Sequence, residues 1–133
     1  MMRCFLFILF FIYSCSSEDS NELFEPLINQ NCNSQVCLSL DGNNLHYISN
    51  KEISGFQFDH DNCITGAMGG DTEANNFTIS LSNYRLLSFS LSGNKIEQGS
   101  GILLILEGDV EENCLDNFIF AGNEGINLTI NWN

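Results

Sequence analysis

Between positions 77 and 82 the chain alternates strictly, Phe77, Ile79 and Leu81 interleaved with Thr78, Ser80 and Ser82. Successive side chains of an extended backbone point to opposite faces, so this pattern gives one face to a core and the other to water. From residue 36 onward the apolar segments are all short, and none sustains a 3.6-residue period, which argues against a helical architecture. Leu87, Phe89 and Leu91 repeat the alternation and are expected to face the core. The turn residues Asp41, Gly42, Asn43 and Asn44 separate two apolar segments, 36–40 and 45–49, as in a hairpin.

Ile53, Phe56 and Phe58 open a further strand that ends at Asp59-His60-Asp61-Asn62, and a short strand restarts at 63–65. Gly66 to Asp71 reads as a loop, and Gly99-Ser100-Gly101 as a hairpin tip. The continuous apolar run 102–106 suits a strand buried on both sides, and segments 118–120 and 126–130 complete the set. The expectation is an all-β, antiparallel sandwich of about eight or nine strands.

Four cysteines, Cys32, Cys37, Cys63 and Cys114, fall within this region. An even set in a small exported domain signals disulfides, and four cysteines allow three pairings. Cys32 with Cys37 and Cys63 with Cys114 is the favoured one: the first closes a short loop, the second ties the middle of the domain to its end. A structural zinc site is the rival reading, but neither a second close cysteine pair nor spaced histidines accompany Cys32 and Cys37.

The N-terminus carries Arg3, an apolar run over 4–13 and then small residues, the layout of a secretory signal. That run is too short to span a bilayer, which takes about 20 apolar residues. Ile12-Tyr13-Ser14-Cys15 resembles the bacterial lipobox, which implies a signal peptide over 1–14 and lipidation of Cys15. The following Ser16-Ser17-Glu18-Asp19 resembles the export sequence that sends Bacteroidetes lipoproteins to the outer face of the outer membrane. Residues 15–31, polar and acidic with Pro26, would then form a tether to the domain at 32–133. The alternative is a signal cut near Ser17 and a freely secreted protein. The sequons at Asn76 and Asn127 would matter only in a eukaryotic secretory route.

Five marks, in order along the chain, resemble cohesin-like modules of marine bacterial surface proteins. They are Ile53-Ser54-Gly55-Phe56-Gln57-Phe58, Ile64-Thr65-Gly66-Ala67 with Gly69-Gly70-Asp71, Phe77-Thr78-Ile79-Ser80, Leu87-Ser88-Phe89-Ser90 with Gly93, and Gly99-Ser100-Gly101. The resemblance covers roughly 38–130 and implies a jelly-roll sandwich that grips a partner.

Charge narrows the partner further. Once the signal is removed, Lys51, Arg85 and Lys95 stand against 17 Asp and Glu, a formal charge of about −14. Phosphate backbones are held by clusters of Lys and Arg, so nucleic acid is not an expected ligand. Asp59 and Asp61 are candidate ligands for calcium, although calcium needs further oxygens. Tyr47, Tyr84 and Trp132 are candidates for a carbohydrate platform, against the usual packing role of strand aromatics.

Catalytic motifs are not expected: Ser100 lacks the context of a nucleophile elbow, and the glycines at 66–70 lack a phosphate-loop lysine. The reading is therefore a non-enzymatic, lipid-anchored surface module that binds an extracellular protein or glycan, in adhesion or scaffolding. The alternatives are a structural subunit that self-associates through strand edges, or a polysaccharide hydrolase using Asp59 and Asp61. In a bacterial host with a lipoprotein pathway, the protein should partition into membranes with acyl chains on Cys15, and Cys15→Ala should release it. An unmodified N-terminus elsewhere, recovered from the medium by mass spectrometry, would establish the secreted form instead.

Overall fold

The alternating segments pair into two sheets. The structure is a computed structural model that describes residues 32–132; the signal segment, Cys15 and the acidic tether lie outside the described residues. The strands are β1 (Val36–Asp41), β2 (Asn44–Ser49), β3 (Gly55–His60), β4 (Ile64–Met68), β5 (Thr78–Leu81), β6 (Arg85–Phe89), β7 (Gly99–Gly108), β8 (Leu115–Ala121) and β9 (Ile130–Trp132), with a short helix, α1 (Gly70–Ala74), between β4 and β5. One sheet has the order β4-β7-β2-β1-β9, the other β5-β6-β3-β8. The pairings are antiparallel except β1 with β9, which run parallel. The protein is an all-β sandwich, as the alternation required.

β3 organises the four-stranded sheet. Phe56 and Phe58 point inward, Phe56 stacking on Phe120 of β8 at 5.2 Å between ring centroids and Phe58 on Phe118 at 4.8 Å. Residues directly opposite each other on paired strands share a face. On β6, Phe58 stands opposite Leu86 and Phe56 opposite Ser88, so these two are drawn into the core, both at 0 % exposure. Leu87 and Phe89 are thereby turned outward, each 38 % exposed, with Leu91 more exposed still. This corrects the expectation that Leu87, Phe89 and Leu91 face the core. A one-residue change of phase flips every side chain of a strand, and here the cross-strand partners decide the phase.

Three other expectations are corrected. The glycine-rich segment at 66–71 is the end of β4 followed by α1, because Gly69 and Gly70 adopt positive φ (74° and 66°) and turn the chain sharply into the helix. A Cβ at Gly70 would come within 2.5 Å of the Leu103 carbonyl oxygen, so this close approach of α1 to β7 needs glycine. Gly99-Ser100-Gly101 is the start of β7 rather than a hairpin tip. The run 102–106 is not covered on both sides: Ile105 faces outward and is partly exposed. A register shift between Leu45 and His46 leaves Leu103 as an extra residue, so Leu103 and Leu104 are both fully buried although adjacent.

Both favoured disulfides are present, Cys32–Cys37 and Cys63–Cys114. The second spans 51 residues, and on chain-entropy grounds a loop of this size contributes roughly 3 to 4.7 kcal/mol. It joins the strand start after the β3–β4 turn to the segment leading into β8.

The assignment of faces on β6 can be tested directly. Leu86→Ala should cost about 2 to 5 kcal/mol in chemical denaturation, whereas Leu87→Ala should cost less than about 1 kcal/mol. The reverse ranking would mean that β6 sits in the opposite phase.

Candidate functional site

The aromatic residues proposed as a platform lie in three separate places. Tyr47, on β2, is buried, and its hydroxyl donates a hydrogen bond of 2.5 Å to Asp71 Oδ2 on α1. Burial, followed by this hydrogen bond and the Asp71 charge, pushes the Tyr47 phenol well above its ordinary pKa. It remains a neutral donor that fastens α1 to the sheet. Gly101 lies opposite Tyr47, and a Cβ there would meet Asp71 Oδ2 at 3.0 Å, so the glycine leaves room for the bond. Tyr84 projects from the turn between β5 and β6, largely exposed. Trp132, on β9, is half-buried and tilts against Phe118 at 5.4 Å.

Asp59 and Asp61 are not brought together as a pair of free carboxylates. Arg85 donates to Asp59 from Nε to Oδ1 at 2.6 Å and from an Nη to Oδ2 at 3.2 Å, and Asn117 Nδ2 donates to Oδ2 at 3.0 Å. Asp61 lies beyond the end of β3, its backbone N–H donating to the Cys114 carbonyl. Among the described residues, no three His, Cys, Asp or Glu side chains gather in a way that could hold a metal ion. The hydrogen bonds from Arg85 and then Asn117 hold the Asp59 carboxyl below its usual range.

What the structure does assemble is the outer face of the four-stranded sheet. Three rows cross it. In the first, Phe89 of β6, Gly55 of β3 and Ala121 of β8 lie side by side; in the second, Leu87, Gln57 and Ile119; in the third, Arg85, Asp59 and Asp116. Across β6, β3 and β8 the face grades from apolar, through one carboxamide flanked by two aliphatic groups, to a hydrogen-bonded ion pair, while on β5 the exposed Thr78 and Ser80 stand beside Phe89 and Leu87. Gly55 and Ala121 stand low beside Phe89, and the first two rows enclose a shallow trough of about 210 Å³.

Large apolar side chains scattered singly on a surface are ordinary, but a contiguous group marks an interaction site. Ile119, like Leu87 and Phe89, is exposed. Ser88, in contrast, is wholly buried, and its hydroxyl has no hydrogen-bond partner among the described residues. Burying such a hydroxyl costs free energy, roughly 1 to 3 kcal/mol from mutational data. Reading alternation alone missed this face because it sends the larger apolar residues inward. The available signal was Leu86, which with Ser88 makes the second, weaker alternation on the same strand.

Compared with protein-family models, with curated proteins and with solved structures, the chain matches none of them. The geometry of the described residues is therefore what bears on function.

The Asp59–Arg85 pair carries a definite pH dependence. A carboxyl whose folded pKa is depressed stabilises the fold above its unfolded value, and that contribution is lost as pH falls through the lowered folded value. By carbon-detected NMR, Asp59 should titrate below the ordinary value of about 3.9 and move back toward it in Arg85→Gln. Identical titration in the two proteins would mean that the ion pair does not form.

Proposed function

We propose that the protein is a non-enzymatic binding module, held at the cell surface through Cys15 and the acidic tether, whose four-stranded sheet receives an extracellular protein partner. One observation carries this reading: β6 buries Ser88 and presents Leu87 and Phe89 to solvent. That is the opposite of what burial preference alone would select. A partner that covered Leu87, Phe89 and Ile119 would recover the hydrophobic free energy left unrealised in the free domain. Arg85 and Asp59 at the end of the trough would fix its orientation, since polar groups at the rim of an interface contribute specificity more than affinity.

The resemblance to cohesin-like modules suggests a partner-binding role and implies a β-sandwich, although its glycine-rich loop is here the end of β4 followed by α1 and its Gly99-Ser100-Gly101 hairpin is the start of β7. The resemblance of Ile12 to Cys15 to a lipobox supports an outer-membrane, surface-exposed location, and the disulfides support an oxidising compartment. Assembly through strand edges has less in its favour. On the β8 edge Asn117 adopts positive φ beside a register shift, and β5 is only four residues long. Short and interrupted edges oppose strand addition.

The test is capture of proteins from surface extracts of the producing cell by the mature chain. Leu87→Asp combined with Phe89→Asp should keep the melting temperature and abolish capture. Capture that survives the double substitution would eliminate the sheet face as the binding surface. Growth in light scattering with protein concentration, lost in the same variant, would instead assign the face to a second copy of the chain.

A further inference from the structure

At the other end of the sandwich from the β3–β4 turn, four segments meet around a polar cleft of about 360 Å³. Its lining includes Gln35, Asn50, Lys51, Glu52, Gln98 and Asn123, with Ile126 and Leu128 as the apolar part. The size falls within the range of small-molecule sites, roughly 300 to 1,000 Å³.

The segments are fastened to one another by backbone and side-chain hydrogen bonds. Asn50 N–H donates to the Gln35 carbonyl at 3.0 Å, and Ile53 and Ile96 exchange two backbone bonds of 2.9 Å, which ties the loop bearing Lys51 and Glu52 to the loop bearing Gln98. Ser54 donates from its backbone to the Ala121 carbonyl at 2.8 Å and from its hydroxyl to the Gly122 carbonyl at 2.8 Å. Thr129 N–H donates to Gln35 Oε1 at 2.9 Å, and Gln35 itself lies inside the loop closed by Cys32 and Cys37. At the base stands Gly122. A Cβ there would lie 2.7 Å from Leu128 Cδ2 and 3.4 Å from the Glu52 carbonyl oxygen, so the close meeting of these loops needs the missing side chain.

The rigid frame presents a particular chemistry. The side chains of Asn50, Lys51, Glu52, Gln98 and Asn123 make no hydrogen bond to protein among the described residues, where Asn50 and Lys51 bond only through their backbone. Each carboxamide offers both a donor and an acceptor. That combination matches a hydroxyl, which also donates and accepts, and several carboxamides around one cleft match a ring carrying several hydroxyls. Ile126, 60 % exposed, supplies an apolar surface for the C–H face of such a ring. A metal ion is poorly matched, because among the described residues Glu52 is the single carboxylate in the lining. An anionic ligand would meet Glu52 and a domain whose three cations, Lys51, Arg85 and Lys95, are far outnumbered by its acids.

We propose that this cleft is a binding site for an uncharged glycan, with Asn50, Gln98 and Asn123 bonding its hydroxyls and Ile126 under its ring. The site lies on loops and shares no residue with the sheet face, so each assignment can fail without the other. The test uses the mature, lipid-free full chain, labelled with ¹⁵N, and a panel of uncharged trisaccharides built from glucose, mannose or galactose.

At millimolar sugar, at least one probe should shift the side-chain NH₂ signals of Asn50, Gln98 and Asn123 while those of Gln57 stay fixed. Gln98→Ala with Asn123→Ala should weaken that binding at least tenfold, and Leu87→Asp with Phe89→Asp should leave it unchanged. If no probe moves the cleft signals, or if trisaccharides bearing carboxylate or sulfate groups bind more tightly than the neutral ones, the proposal is overturned. The shifts are read on the unsubstituted protein, so the outcome does not depend on the variants folding.

Discussion

The pairing of β3 with β6 and β8 is the constraint from which the rest of this structure follows. Phe56 and Phe58 face inward, and each finds an aromatic partner at stacking distance, Phe120 and Phe118. With those rings committed, the strands on either side have no freedom of phase. β6 must turn Leu86 and Ser88 toward the rings. The outer face of the sheet is the complement of that choice: it consists of whatever the inner face did not take.

The second sheet is held by a different device. Tyr47, within the core, carries a polar tip that has to be satisfied, and Asp71 on α1 accepts from it. A buried phenol without a partner would be costly, so α1 is needed where it is, and Gly70 and Gly101 allow the approach. The crossover from β4 to β5 is in this way part of the core. The Cys63–Cys114 bridge ties the start of β4 to the start of β8, and the Asp59–Arg85–Asn117 cluster links β3, β6 and β8 where the pairing of β3 with β8 contains a register shift.

Two surfaces of different character result. The sheet face is flat, graded from apolar to charged, and suited to a broad contact. The loop end is concave, amide-lined and braced by hydrogen bonds between every segment that forms it, and it is suited to a small hydroxylated ligand. A sandwich allows this division because its strands set the faces while its connections set the ends, and the two can vary separately.

The chain by itself determined the fold class, through segments such as 77–82 whose period of two admits only a half-buried strand. It favoured one cysteine pairing of three, the one that combines a short local loop with a long closure, and the structure shows that pairing. The phase of β6 was undetermined, since Leu86 and Leu87 offer two competing alternations and the choice rests on Phe56 and Phe58, some 30 residues earlier. The same holds for Asp59, whose carboxylate is an open ligand in the sequence and is occupied by Arg85 and Asn117 only after β6 and β8 flank β3. It holds as well for the cleft, whose residues 35, 50, 98 and 123 carry no local signal of belonging together. Local periodicity reports which residues can share a face. Which face is buried, and which distant side chains meet, depends on long-range pairing that no short window of sequence contains.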